Sequence, residues 1–294
     1  MPVSSGSFRF VIYSKKKKIE GFIMKDIHSN IKVIVSDLDG TLLNSNHEIT
    51  AETKAVFNQL HQKGYVIIIA TGRHHLDAKA IIKVLDIPIY LVTSNGARIH
   101  APNNELLFAF DIKSEVVASV FQLDIDPTIT TVLFKEKMWL TSKSNKKINS
   151  FQRDLSYPPE VVDFSSLTDY SAIKIFFSHD DHEVLQHLKD QILETHSDYL
   201  CHAFSLPFCL EFMDKSVDKS VAIERILKKE GFAFENAIAF GDGFNDEKML
   251  DTVAKGLIMQ NAPDTLKNKL QHLEVIASNN DNAVADYIMQ NILI

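Results

Sequence analysis

The chain has 294 residues, 45% of them hydrophobic and 23% charged, which is the composition of an ordinary soluble globular protein with room for one large domain or two ordinary ones. Its formal net charge of −7 argues against nucleic acid as a partner, because phosphate-backbone binding needs a concentrated basic face. Two cysteines, Cys201 and Cys209, exclude a disulfide framework, and no apolar run approaches the ~20 residues that span a bilayer.

Residues 1–30 read as a loose extension. The apolar run Phe8–Tyr13 precedes the lysines at 15–18, the reverse of a secretory signal. That lysine run reads as a solvated segment rather than a membrane patch, and Met24 is an alternative start. The expected location is therefore the cytoplasm.

Val33–Val35 reads as a short buried strand running into Asp37-Leu38-Asp39-Gly40-Thr41. Thr50 caps a helix whose apolar face is Ala55, Val56 and Leu60, and Gly64 ends it. Tyr65–Ala70 is a continuous apolar strand, the pattern of a parallel strand buried on both faces. It empties into Thr71-Gly72-Arg73 and a second helix with Leu76, Ala80, Ile81, Val84 and Leu85 on one side. A third strand, Ile89–Thr93, leads to Ser94-Asn95-Gly96. This alternation predicts a doubly wound, mostly parallel α/β core.

From 112 to 212 the rhythm changes. Val132–Phe134 and Met138–Leu140 flank Lys135-Glu136-Lys137 like a hairpin, and Ala172–Phe177 is a strand. A helix follows with Val184, Leu185, Leu188, Ile192 and Leu193 on one side, then strands over Leu200–Phe204 and Phe208–Met213. This is an inserted α+β domain with a mostly antiparallel sheet. The α/β pattern resumes with a helix capped by Asp218 and ending before Gly231, then a strand Ala237–Phe240. A strand Gly256–Met259, a helix after Pro263, a strand Val275–Ile276 and a helix from Ala283 finish the chain. The core therefore comprises 31–111 and 213–294, split by the insert at 112–212.

Four polar sets fall at strand ends or a helix start: Asp37 with Asp39, Thr71 with Gly72, Lys219, and Asp242 with Asn245 and Asp246. In an open α/β sheet, ligands bind outside the carboxyl ends of the strands. Each set alone has a plainer reading, since Asp-Gly is a common turn and a hydroxyl or acid at a helix start is usually a cap. Together they contain what phosphoryl transfer needs: a carboxylate nucleophile, a second carboxylate as proton donor, a hard cation and a lysine. The all-oxygen set Asp37, Asp39 and Asp242 suits Mg²⁺.

Asp37-Leu38-Asp39-Gly40-Thr41, Ala70-Thr71-Gly72-Arg73, Lys219 and Gly241-Asp242-Gly243-Phe244-Asn245-Asp246 resemble the four motifs of the haloacid-dehalogenase superfamily. The insert between the second and third resembles its Cof-type phosphatases, which carry an α/β cap. Thr71–His75, Thr93–Arg98 and Ala239–Gly243 look especially like the enterobacterial pyridoxal phosphate phosphatases. The resemblance implies that Asp37 is the nucleophile, forming an aspartyl-phosphate and binding Mg²⁺. It implies that Asp39 is the acid/base, with its main-chain carbonyl on the metal. Thr71, Gly72 and the backbone of Leu38 would hold the phosphoryl oxygens, Lys219 would neutralise charge and Asp242 would complete the metal site. Asn245 would reach the phosphate, and Asp246 would orient Lys219 or a metal-bound water. One departure is the lack of a glycine after the motif lysine, with Lys215 as a neighbouring rival.

Other polar groups have plainer readings. His179-Asp180-Asp181-His182-Glu183 is a helix start rather than a metal cluster. His74 and His75 face either the substrate or solvent, Asn95–Arg98 either line the opening under the cap or do not, and Trp139 is packing. The expected activity is Mg²⁺-dependent hydrolysis of a small phosphorylated metabolite by a monomer or weak homodimer, with no nucleic-acid or membrane partner. A phosphomutase and a non-catalytic regulatory relative are the alternatives. The intact acid pair opposes the second.

Overall fold

The structure, a computed structural model, describes residues 30–146 and 159–294. The extension expected over 1–30 lies, Asn30 apart, outside the described residues. The chain begins with β1 (Val33–Ser36), α1 (Ala51–Gln62), β2 (Val66–Ala70), α2 (His75–Ile82), β3 (Tyr90–Thr93), β4 (Arg98–His100) and β5 (Leu106–Ala109). The insert holds α3 (Ser114–Val120), β6 (Thr130–Phe134), β7 (Trp139–Thr141), β8 (Pro159–Val161), β9 (Lys174–Ser178), α4 (His182–His196), β10 (Leu200–Leu206) and β11 (Cys209–Asp214). Then come α5 (Lys219–Glu230), β12 (Ala237–Gly241), α6 (Glu247–Thr252), β13 (Lys255–Met259), α7 (Asp264–Lys269), β14 (Glu274–Ile276) and α8 (Ala283–Asn291).

The larger sheet has the order β14-β13-β12-β1-β2-β3-β4-β5, and its pairs are parallel from β14 to β3. Every residue of β1 is buried, as a central strand covered on both faces requires. Alternation along β1 assigns the faces. Ile34 packs with Phe57 and Leu60 of α1 and Ile288 of α8, while Val33 and Val35 pack with Ile223 and Leu227 of α5 and Leu250 of α6. The β4–β5 hairpin, absent from the sequence reading, extends the sheet antiparallel beyond β3.

The helix faces differ in detail from the sequence pattern. In α1 the buried line is Thr53, Val56, Phe57 and Leu60, and Ala55 points outward. In α2 the buried residues are His75 and Ala78; Ala80 faces solvent, and Val84 is exposed because the helix stops at Ile82 and tightens into a 3₁₀ turn. That tighter winding rotates Leu85, not Val84, into the core.

The smaller sheet has the order β10-β11-β9-β6-β7-β8, antiparallel except between β7 and β8. One face carries Leu133, Ile175, Phe177 and Phe212 beneath α3 and α4. On the other face Val132, Trp139, Phe176 and Cys209 pack against Leu76 of α2, so this face meets the larger unit. Trp139 stacks on Phe134 with ring centroids 5.4 Å apart, the packing role expected of it.

Gly256 shows how closely α6 is seated on β13: an added Cβ there lies 2.1 Å from the Leu250 carbonyl oxygen. That obstacle is backbone and cannot swing aside, so Gly256→Ala should cost at least the upper end of the about 1–3 kcal/mol typical of overpacking. Gly64→Ala, at φ 80° with no atom within 4 Å, should cost only left-handed strain of about 1–2 kcal/mol. Urea unfolding of both variants checks this, and a midpoint for Gly256→Ala no lower than that for Gly64→Ala would contradict the packing.

Candidate active site

Register brings the site together. Ser36 at the end of β1 pairs with Ile69 of β2 and Phe240 of β12, so Asp37, Thr71 and Asp242 emerge along one edge of the sheet. Gly40 turns the chain back at φ 74°, and an added Cβ there would sit 2.3 Å from Asp242 Oδ2. Only glycine allows both that backbone conformation and that approach.

Lys219, the first residue of α5, is 2% exposed, whereas Lys215 is exposed, so the site takes Lys219. Its Nζ donates to Asp37 Oδ1 at 2.7 Å and to Asp246 Oδ1 at 2.6 Å. Asp218 caps α5 by accepting from the Ser220 N–H, which fixes where the lysine starts. Asp246 Oδ2 accepts from the backbone N–H groups of Asp242 and Gly243. The Thr41 hydroxyl donates to Asp242 Oδ1 at 2.8 Å. Both Asp246 oxygens are thus spent on the lysine and the loop, which makes Asp246 a support for the site.

Burial pulls the Lys219 ammonium down, but Asp246 and Asp37 outweigh it and hold it above the usual lysine range, so it stays charged. Burial pushes the Asp37 carboxyl well up, with Lys219 opposing and the charges of Asp246 and Asp242 adding. Burial, then Asp246, pushes Asp242 up to about 6. One lysine is too little charge for three neighbouring acids, whose oxygens lie within 4.8 Å of one another. This is the only such acidic or metal-ligating cluster among the described residues. Crowded, partly starved carboxylate oxygens fit a hard divalent cation, which would relieve the upward push. The cluster holds Asp37 and Asp242 of the expected set together with Asp246; Asp39, expected on the metal through its main-chain carbonyl, lies outside a grouping of carboxylate oxygens.

Asp39 instead accepts a two-pronged bond from Arg73, Nε to Oδ2 and Nη2 to Oδ1, both 2.6 Å. Leu38 is buried at the start of the turn, and Thr71 is buried beside it, its Oγ1 accepting from the Arg73 N–H. Gly72 lies against Asn95, whose Oδ1 accepts from Asn245 Nδ2 at 3.0 Å. Asn95 sits at φ 59°, a left-handed conformation asparagine tolerates, and was a visible signal in Ser94-Asn95-Gly96.

His74 and His75 do not face solvent. His74 is buried, with Nε2 donating to the Lys135 carbonyl at 3.0 Å and Nδ1 accepting from the Leu76 N–H. Burial, then His75, pushes its pKa down to about 3, so it stays neutral. His75 lies 3.4 Å from Glu136, which also accepts from Arg98 at 2.8 Å. Arg98 is buried and bonds Asp111 too, so it fastens the β6–β7 hairpin rather than lining an opening. Lys174 of β9 pairs with Glu211 and donates to the Gly72 carbonyl at 3.2 Å. Sequence reasoning missed Arg73, Thr41 and Lys174, whose roles depend on partners far along the chain. The 179–183 group is the expected helix start, with Asp181 accepting from the Glu183 N–H.

A divided α/β unit with acids, a phosphate-type turn and a buried lysine at one sheet edge defines a class of hydrolytic enzyme, and family comparison agrees. The haloacid dehalogenase-like hydrolase family matches residues 34–288, and the chain belongs to it. A Buchnera aphidicola (subsp. Baizongia pistaciae) protein whose name gives phosphatase without a substrate is 37% identical over 257 residues, covering 87% of this chain and 96% of its own. An HMP-PP phosphatase of Cronobacter sakazakii is 33% identical over 252 residues, covering 86% and 92%. A solved structure from Streptococcus mutans UA159 superposes with a TM-score of 0.80 at 24% identity, covering 90% of this chain and 100% of that one. The chain is an enzyme of this hydrolase family, a phosphatase. No helix among the described residues is long and apolar enough to cross a membrane.

Without divalent cations, Asp242 should make the protein less stable as pH rises. Its folded pKa of about 6 lies above the unfolded value of about 4, so the folded state holds the extra proton in that window and stability falls across it, the loss being complete above about 6. Asp242→Asn mimics the protonated form. In chelator, its thermal midpoint should improve relative to wild type as pH goes from 4.5 to 7. A difference that is flat with pH would show that Asp242 carries no such penalty.

Proposed function

We propose that the protein hydrolyses small phosphomonoesters in a Mg²⁺-dependent reaction through an aspartyl-phosphate on Asp37. The observation that carries this is the Lys219 ammonium held on Asp37 Oδ1 inside an acidic cluster at the sheet edge. Lys219 fixes the Asp37 carboxylate, which attacks phosphorus as the bond to the leaving oxygen breaks. Asp39 gives that oxygen a proton, then takes one from the water that hydrolyses the aspartyl-phosphate. The Thr71 hydroxyl and the backbone of Gly72 and Leu38 hold phosphoryl oxygens, with Asn245 reaching them from the opposite loop. Asp37, Asp242 and the Asp39 main-chain carbonyl are the groups that would hold Mg²⁺. The bound cation supplies Lewis-acid stabilisation of the charge on the phosphoryl group.

The two units, 31–111 with 213–294 and the cap at 112–212, divide the work between chemistry and enclosure. Contacts from Lys174 and Lys135 to the turn after Thr71 support a cap that closes directly over the phosphate site. Closure of that kind favours a small metabolite over a phosphoprotein. The segments flanking the motifs make pyridoxal 5′-phosphate the leading substrate and hexose phosphates the next. The relatives named HMP-PP phosphatase put HMP-PP in the same group. The activity is assigned to the cytoplasm.

The test compares kcat/KM for pyridoxal phosphate, HMP-PP, glucose 6-phosphate and a phosphopeptide, with Mg²⁺ and with chelator. Activity should need Mg²⁺, and the phosphopeptide should be poorest. Asp37→Asn should lower kcat by about 10³-fold or more while the protein stays folded. Wild-type activity in Asp37→Asn would rule out the covalent route, and a sugar phosphate ahead by tenfold would remove only the pyridoxal assignment.

A further inference from the structure

The turn that follows β2 does more than present Thr71 and Gly72. Its own backbone is anchored twice at Arg73, whose N–H donates to Thr71 Oγ1 at 3.1 Å and whose carbonyl accepts from the Ser94 N–H at 2.8 Å. From this fixed base the Arg73 side chain crosses to the turn after β1 and grips Asp39 with Nε on Oδ2 and Nη2 on Oδ1. Both bonds are 2.6 Å, the short, parallel geometry of a guanidinium fork on a carboxylate. The Asp39 side chain is otherwise 41% exposed, and its next charged neighbour is His47, 3.8 Å away and mostly exposed itself. Nothing else among the described contacts fixes where this carboxylate points.

We infer that Arg73 is the positioning residue of the acid/base, aiming the Asp39 carboxylate at the leaving oxygen from the same turn that cradles the phosphoryl group. The inference rests on the reading of Asp39 as acid/base. A flexible, half-exposed carboxylate on a turn has several rotamers, and ordering it to the few tenths of an ångström that proton transfer needs takes a partner. A fork supplies two contacts and so fixes direction as well as distance. A lysine has no planar fork and cannot hold both the distance and the angle.

The experiment measures kcat and KM on two substrates, p-nitrophenyl phosphate, whose leaving group needs little protonation, and an alkyl ester such as glucose 6-phosphate. The proteins are wild type, Arg73→Ala, Arg73→Lys, Asp39→Asn and the Asp39→Asn/Arg73→Ala double variant. Urea unfolding first confirms which of them fold, and Arg73→Lys or Arg73→Gln stands in for Arg73→Ala if that one does not. Arg73→Ala should lower kcat about 10²-fold on the alkyl ester and less than about threefold on the nitrophenyl ester. Arg73→Lys should recover only part of the loss. The double variant should be no slower on the alkyl ester than Asp39→Asn alone, because a residue acting through Asp39 has nothing left to act on. Equal losses on both esters, a rise in KM with kcat unchanged, additive losses in the double variant, or no loss at all would each overturn the role. Should Asp39→Asn itself show no dependence on the leaving group, the acid/base reading fails first, and the two failures remain distinct.

Discussion

The structure turns on one buried ammonium. Lys219 lies between Asp37, at the end of the central strand, and Asp246, on the loop after β12. Those residues are 182 and 27 positions away in sequence, so the contact is possible only when both halves of the divided unit have come together. A buried lysine pays heavily in lost hydration unless both its partners are in place, and removing one partner of such a pair typically costs about 3–5 kcal/mol. The group that pairs with the proposed nucleophile is therefore also a lock on the fold. Assembly of the site and closure of the sheet around β1 are one event.

The turn from Thr71 to His75 is the second joint. Arg73 ties it to Asp39, Asn95 ties Gly72 to the loop of Asn245, and the Lys174, His74 and Glu136 contacts tie it to the inserted sheet. Two buried neutral histidines at this junction are unusual for a helix start. Their neutrality follows from burial, as desolvation disfavours the charged ring. His74 answers both its ring nitrogens at once, one to the hairpin carbonyl and one to the helix N–H, so a neutral ring is also the tautomer the contacts require.

Much of this was legible before any coordinates. The buried runs at Val33–Val35, Tyr65–Ala70 and Ala237–Phe240 announced parallel strands, because only a strand covered on both faces is continuously apolar. Asp37, Thr71, Lys219 and Asp242 were readable as strand-end or helix-start residues; register brings Asp37, Thr71 and Asp242 to one end of the sheet, and Lys219 reaches Asp37 from the start of its helix. What was not legible depended on partners. Ala55 and Val84 fit an apolar stripe by type but fall on the wrong side once helix ends and winding are set. The strand Arg98–His100 was hidden because two of its three residues are charged or polar, and the buried Arg98 is answered by Glu136 and Asp111, partners distant in sequence. Likewise Arg73, a common surface residue by type, acquires its meaning from a carboxylate 34 positions away.

Charge around the phosphoryl position explains why a cation belongs to the mechanism proposed above. In that proposal Asp37, Asp39, Asp242 and Asp246 flank it, and the Lys and Arg groups hydrogen-bonded to them are Lys219 and Arg73. Lys174, which donates to the Gly72 carbonyl, is paired with Glu211. Such a site has an excess of negative charge where a phosphate dianion must enter, and the whole chain, at −7, does nothing to attract one. Two like-charged sets cannot approach in a partly desolvated cavity without a counter-charge, since each ångström of burial raises the cost. On that proposal a divalent cation held by Asp37 and Asp242 would reverse the local sign while leaving Lys219 and Arg73 to orient the Asp37 and Asp39 carboxylates. The acids would then serve first as the cation's ligands and only through it as a phosphate site. Binding of metal and binding of ester are then coupled by simple electrostatics, each strengthening the other, with no conformational change needed to link them.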